Sequence, residues 1–498
     1  MKPRAGVTAS SAAAVEAGAR ILRQGGNAVD AAVATALAGC VADPGNTGIA
    51  GYGGHMIVAR SGRAPDCVDF NMWLPAEWPI AALRKAYANG SPDVTAVPNV
   101  VAGLSIALQR FGSLSWSAVL EPAIELAESG VVANATSARG FKDVEGAAFV
   151  KDCFVFDPLD ASGGFRFRQP ALAGTLRVLA KEGPQWLYDG PVGRSACEIL
   201  RNAGSPVTPR EWVEAPRAAT IVPPAKLDLS QAALYSAPLG TSGSASLFAT
   251  VTAGAALLDK GASETADSVA AWARAIAGMW SYRFGTAGGN DFSSTTIERW
   301  LERAVGFEPA RSLTPSVGHT THLNTCDGTG TLVSVTLTHG QATFGGRWAV
   351  PGTGVIMNAG MHLLTAADPL PANGRLYAVT NMNPTVARLG DGSEIAIGCP
   401  GARRIPTSVG LALARHLAGG LSLQQAVSRG RFHAESAALA SVEMERWDVD
   451  TVDALRRDFA AVEDEGPRGP LTAIRREADG TLSFGLDDRA GQGFAAVP

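Results

Sequence analysis

The chain has 498 residues, 46% of them hydrophobic, enough to bury one or two sizeable cores. A formal net charge of −4 offers no basic surface of the kind that holds nucleic acid or an anionic bilayer, so neither is expected as a partner. Six cysteines (Cys40, Cys67, Cys153, Cys197, Cys326, Cys399) are scattered without a C-x-x-C pair, which gives no metal-ligand spacing and points to reduced core thiols rather than a disulfide framework.

Met1–Gly6 lacks the apolar stretch of a secretory signal, and the apolar run Ala31–Ala42 is too short to span a bilayer, so a cytoplasmic location is expected. Ser10 or Ser11 can cap a helix through about Gln24, with Val15, Ala19 and Leu22 on one face and Gly25 as its stop. Asn27 can cap a second, alanine-rich helix through about Val41, ending ahead of Asp43-Pro44; so many alanines imply close helix packing. His55–Arg60 and Asp66–Phe70 alternate as strands, and helices are predicted near 79–89, 103–111 and 115–130. Pro-rich 215–224 and Gly/Ser-rich 240–246 suggest loops, Ala253–Leu258 and Thr265–Trp280 helices, and 285–318 a mixed, turn-rich tail. Beyond 320, Val333, Val335 and Leu337 face one side of a strand and Thr336 and Thr338 the other. Tyr377–Arg388 and Glu394–Gly398 suggest a hairpin around Gly390-Asp391-Gly392, and Arg404–Leu417 and Leu423–Ser428 suggest helices.

His319-Thr320-Thr321-His322 puts two threonines at the head of a strand. A threonine in mid-chain is a poor nucleophile, because nothing adjacent takes its proton. If the chain cuts itself before Thr320, that residue gains an α-amine of pKa near ~8 that can serve as base for its own hydroxyl. Taken alone, these residues are better read as an ordinary strand start. Three further segments stand beside them: Gln24-Gly25-Gly26-Asn27-Ala28-Val29-Asp30-Ala31-Ala32, Gly48-Ile49-Ala50-Gly51-Tyr52-Gly53-Gly54, and Val97-Pro98-Asn99-Val100-Val101-Ala102-Gly103. In this order they resemble the gamma-glutamyltransferase family of N-terminal-nucleophile hydrolases, with Asn99 in a usual glycine place. The likeness covers residues 12–60, 98–130, 320–358 and 377–412, and more faintly the C-terminus.

The resemblance implies an α+β fold, a four-layer αββα sandwich. It implies cleavage between His319 and Thr320 into a large piece, 1–319, and a small piece, 320–498, paired in one intertwined domain. Thr320 would be the nucleophile and Thr338 the threonine that hydrogen-bonds it. Gly398-Cys399-Pro400-Gly401-Ala402 matches the family's Pro-Gly-Gly turn. The Gly401 and Ala402 N–H groups would form the oxyanion hole, with alanine tolerable at 402 provided its φ is negative. A Ser hydrolase built on Ser242 or Ser244 lacks a nucleophile elbow and partners.

The substrate-binding positions depart from the family. Asn71 stands where the family has a carboxylate-binding arginine, and Gly360 and Leu363 where it holds the α-amine. Thr380-Asn381 replaces a serine pair, and Gly340 a frequent asparagine, across a one-residue insertion that blurs the alignment. Losing charge-assisted contacts of ~1.5–3 kcal/mol each weakens a glutamyl clamp by roughly 100-fold or more. Thr380 and Asn381 could still accept a polar acyl group, and His339, His362, Arg347 or Arg403 are candidates for a replacement charge, set against plain structural roles.

The expectation is a self-processing amide hydrolase or acyltransferase acting on a small-molecule amide other than glutathione, with no cofactor or metal. A true gamma-glutamyltransferase with a rebuilt clamp is the alternative, and an uncleaved, inactive binding member a second one. A homodimer is compatible with the sequence.

Overall fold

The computed structural model describes residues 3–75, 90–159, 163–258, 264–285, 319–340, 342–363, 370–372, 375–465, 469–489 and 493–497. Two antiparallel sheets dominate. The first runs in the order Gly493–Val497, Ala5–Ala9, His319–Cys326, Leu332–Gly340, Gly53–Ala59, Asp66–Asp69, Thr220–Val222. The second runs Leu482–Leu486, Thr472–Arg476, Glu394–Gly398, Thr385–Leu389, Ala232–Ser236, Ala225–Asp228. Both sheets combine strands from before and after residue 320.

Three apolar layers account for the stack. Val7, Val335 and Leu337 pack with Val33, Leu37 and Leu104 from helices on the outer face of the first sheet. Ile57, Leu332, Val386 and Ile474 fill the space between the sheets. Leu234, Ile395 and Ile397 meet Phe248, Val251, Val409 and Leu413 from helices outside the second sheet. This is the αββα sandwich, in which each sheet buries both faces.

The helices Ala12–Arg23 and Ala28–Ala42 form as expected. Asn27 accepts from the Val29 and Asp30 N–H groups, while the Asp30 side chain accepts from the Asn27 N–H, a complete capping box. All of Ala28–Ala42 is buried. The two helices touch so closely that a Cβ on Gly18 would lie 2.1 Å from Thr35 Oγ1. Val333, Val335 and Leu337 do face the helices, and Thr336 faces the other way. All six cysteines are free and buried. Arg404–Leu417 and Leu423–Ser428 are helices at the expected bounds.

Other expectations fail locally. The Gly/Ser-rich stretch is not a loop throughout, because the helix Ser244–Leu257 begins inside it; the Ser242 hydroxyl accepts from the Ser244 N–H and draws that turn inward. Thr220–Val222 within the Pro-rich stretch extends the edge of the first sheet against Asp66–Asp69. The long strand predicted from Tyr377 divides: Arg375–Tyr377 joins a separate small sheet, and the second-sheet strand starts at Thr385, just past Pro384, which lacks an N–H for the ladder. The helix predicted at 79–89 and the tail at 286–318 lie outside the described residues.

Candidate active site

Thr320 is the second residue of the strand His319–Cys326, an interior strand of the first sheet, paired opposite Thr338, and it is buried. The register slips between His319 and Thr320, the bond expected to be cut. Thr320 pairs with Thr338 but His319 with Gly340, so the extra residue is His339 on the partner strand, whose N–H turns to the Asn46 carbonyl instead. The His319 carbonyl accepts a 2.5 Å hydrogen bond from Thr338 Oγ1, which itself accepts from the Gly340 N–H at 3.0 Å. The buried Tyr52 phenol also interacts with the Thr338 hydroxyl. With the chain intact, Thr338 therefore bonds the carbonyl before Thr320 rather than the Thr320 hydroxyl, which differs from the expectation. The Thr320 hydroxyl has no hydrogen-bond partner among the described residues.

Three histidines surround this corner, all held neutral. His322 bonds Thr336 Oγ1 (2.9 Å) and Asn324 Oδ1 (3.0 Å), and burial pushes its pKa down to about 3. Burial and, next, the Arg347 charge push His319 down to about 4. Burial also takes His339 to about 4, so His339 cannot supply a positive charge to a substrate near neutral pH.

The Gly401-Ala402 turn reaches the same strand end: Gly398, which leads into it, packs on the His322 ring, where a Cβ would sit 2.3 Å from the ring carbon. Gly401 has φ +135° and Ala402 φ +54°. The condition of a negative φ at Ala402 is not met. Its methyl therefore sits in left-handed space, two residues before the helix Arg404–Leu417, and the Ile405 N–H bonds the Ala402 carbonyl at 3.2 Å. The Gly401 and Ala402 N–H groups have no acceptor among the described residues, leaving two adjacent backbone donors free.

The expected substrate-binding positions form one neighbourhood, but several are already committed. Asn71 is buried; its Nδ2 donates to the carbonyls of Ala378 (2.7 Å) and Thr241 (3.4 Å), and its Oδ1 accepts from the Met72 N–H. Asn99, in its glycine place, donates to the Asn71 carbonyl at 3.0 Å. Asn71 thus braces the wall with its whole amide. Gly360 is buried where a Cβ would press on Ala96, Met72 and Tyr52, and Leu363 packs beside the same apolar cluster. Gly340 has φ +130°, where an asparagine would be strained. Thr380 Oγ1 donates to the Thr241 carbonyl at 3.1 Å. Of the remaining candidate charges, Arg403 pairs with Glu435 at 2.7 Å, Arg347 Nε donates to the Thr343 carbonyl at 3.3 Å, and burial lowers the pKa of half-buried His362.

Arg283 was not legible in the sequence. From the helix Ala266–Gly285 it donates to Asn381 Oδ1 (3.2 Å), the Thr380 carbonyl (3.0 Å), the Ser242 carbonyl (3.2 Å) and Ser246 Oγ (2.9 Å). Burial, and then the charge of Arg403, lower its pKa to about 10, so it stays cationic at neutral pH. A guanidinium only donates, so its bond defines Asn381 Oδ1 as acceptor and leaves Nδ2 as the donating end.

Residues 14–497 match the family described as Gamma-glutamyltranspeptidase. The chain is 28% identical to the "Acylase ACY 1 proenzyme" of Pseudomonas sp. (strain SE83), over 94% of this chain and 89% of that protein. It is 25% identical to the "Glutathione hydrolase proenzyme" of Escherichia coli (strain K12), over 98% of this chain and 91% of that one. The solved structure of a cephalosporin acylase from Bacillus halodurans, 22% identical, has the same fold, with a TM-score of 0.82 covering 100% of this chain and 96% of that one. The sandwich and the whole-length match agree: the chain belongs to the gamma-glutamyltranspeptidase family.

Proposed function

We propose that the chain is a self-processing amide hydrolase, with acyl transfer as a lesser activity, whose nucleophile is Thr320. The observation that carries this reading is the Thr338 hydroxyl donating to the His319 carbonyl at 2.5 Å, on the peptide bond whose cleavage would free Thr320. A donor on that oxygen polarises the carbonyl and stabilises the negative charge that attack creates.

Thr320 Oγ would attack the His319 carbonyl carbon. The 319–320 C–N bond breaks, the hydroxyl proton passes to the departing nitrogen, and an ester joins His319 to Thr320. Water then hydrolyses the ester, leaving a His319 carboxylate and a free Thr320 amine. In turnover, that amine takes the hydroxyl proton as Oγ attacks a substrate amide carbonyl, and the Gly401 and Ala402 N–H groups face the developing oxyanion. The leaving amine departs with a proton, and water, or less often an amine, releases the acyl group. The two pieces remain paired, because both sheets draw strands from each.

The acyl group is small and differs from that of glutathione. Asn71 is tied to the backbone, Gly360 and Leu363 lie in an apolar wall, and the donating Nδ2 of Asn381 suits an acyl oxygen acceptor. The Thr320→Ala variant should persist as one full-length band with no amidase activity. Normal processing in that variant would exclude Thr320 as the nucleophile.

A further inference from the structure

Asp43 follows the helix Ala28–Ala42 and sits behind the candidate cleavage bond. Asn46 Nδ2 donates to both of its carboxylate oxygens, at 2.9 and 3.0 Å. That orientation leaves Asn46 Oδ1 as an acceptor, and it lies 3.0 Å from His319 Nδ1. The neutral His319 ring must then carry its proton on Nδ1, and its Nε2 accepts from Thr343 Oγ1 at 3.1 Å. On the other side, Ser10 Oγ reaches Asp43 at a longer 3.4 Å and meets Thr321 Oγ1 at 2.8 Å. One carboxylate is thus linked, through one residue in each direction, to the side chains before and after Thr320.

The pleat makes this arrangement useful. Side chains alternate across a strand, so Thr321 points toward the helical layer while Thr320 shares the face of His322 and Asn324, between the sheets. Asn324 Nδ2 donates to the Thr472 carbonyl of the second sheet at 3.0 Å, which defines that inner face. By the same alternation His319 also faces outward, to Asn46. Both flanking residues are gripped from the side opposite the nucleophile.

We infer that Asp43 is a positioning residue for self-cleavage, holding His319 through Asn46 and Thr321 through Ser10 so that the 319–320 carbonyl stays fixed while Thr320 Oγ turns onto it. The role rests on the proposed cleavage and on the observation that small misplacements of a reacting carbonyl are expensive in rate.

The test follows self-cleavage of freshly purified precursor with time on denaturing gels. Asp43→Asn puts an amide N–H₂ among donors and is expected to slow cleavage by about tenfold or more; Asn46→Ala should act similarly, and Ser10→Ala by roughly threefold. The double variant Asp43→Asn/Asn46→Ala should be no slower than Asp43→Asn alone, since both act through one linkage, whereas unrelated structural damage would multiply. Melting each substitution in a Thr320→Ala background separates slow cutting from failure to fold; Ser10→Ala, which removes one half-buried hydroxyl, serves if Asp43→Asn melts early. Cleavage of Asp43→Asn, or of folded Ser10→Ala and Asn46→Ala, at the wild-type rate overturns the positioning role alone. A wild-type chain that never cuts overturns the functional reading beneath it.

Discussion

The candidate cleavage corner and the proposed acyl-pocket wall, which share Tyr52, are built differently. At the corner, polar groups form a directed chain: the Gly340 N–H donates to Thr338, Thr338 to the His319 carbonyl, and the His319 ring is held by Asn46 and Thr343. Along the wall, Asn71 turns its amide into the backbone and Gly360 and Leu363 adjoin an apolar cluster. Chemistry at a backbone carbonyl depends on a few fixed donors, which a sheet supplies by register. Recognition of an acyl group depends on side chains that can change without disturbing that register. The proposed pocket could therefore change without disturbing the register of the candidate corner.

Thr338→Val separates the two regions most sharply. It keeps the strand's shape, removes the donor on the His319 carbonyl and leaves the Gly340 N–H unpaired. Self-cleavage is expected to slow by about 100-fold, read from the rate of appearance of the two pieces. A rate near wild type would mean that the corner does not depend on that bond. On the pocket side, Arg283→Met frees the Asn381 amide to rotate. For amides whose acyl group carries a carboxylate, kcat/KM is expected to fall roughly tenfold relative to neutral acyl amides, mainly through KM. An equal loss on both substrate classes would assign Arg283 to scaffolding alone. The smallest effect is at the turn between the strand Glu394–Gly398 and the helix Arg404–Leu417: Ala402→Gly relieves a residue at φ +54° and should raise stability by up to about 1 kcal/mol in thermal or urea melts, with the N–H retained. A loss of stability there would show that the methyl's packing outweighs its strain.

What the sequence revealed followed from short-range physics. Asn27 with Asp30 forms a capping box that four consecutive residues encode, and the Thr320–Thr338 pairing lies on one hairpin whose alternation is visible by eye. The helix Arg404–Leu417 was equally plain. What stayed hidden is long-range or conformational. His319 meets Asn46 across 273 residues and Arg283 meets Asn381 across 98, with no motif linking either pair. The helix inside the Gly/Ser-rich stretch is drawn in by buried serine hydrogen bonds, and composition alone reports such residues as loop. The positive φ of Ala402 is not announced by its residue type, since alanine carries no preference for left-handed backbone.

An intact-mass spectrum of the purified protein after a day's incubation tests the central claim most directly. Two pieces whose masses meet at His319/Thr320 are the predicted result. A single persistent species at the full-length mass would contradict it and favour an uncleaved binding protein.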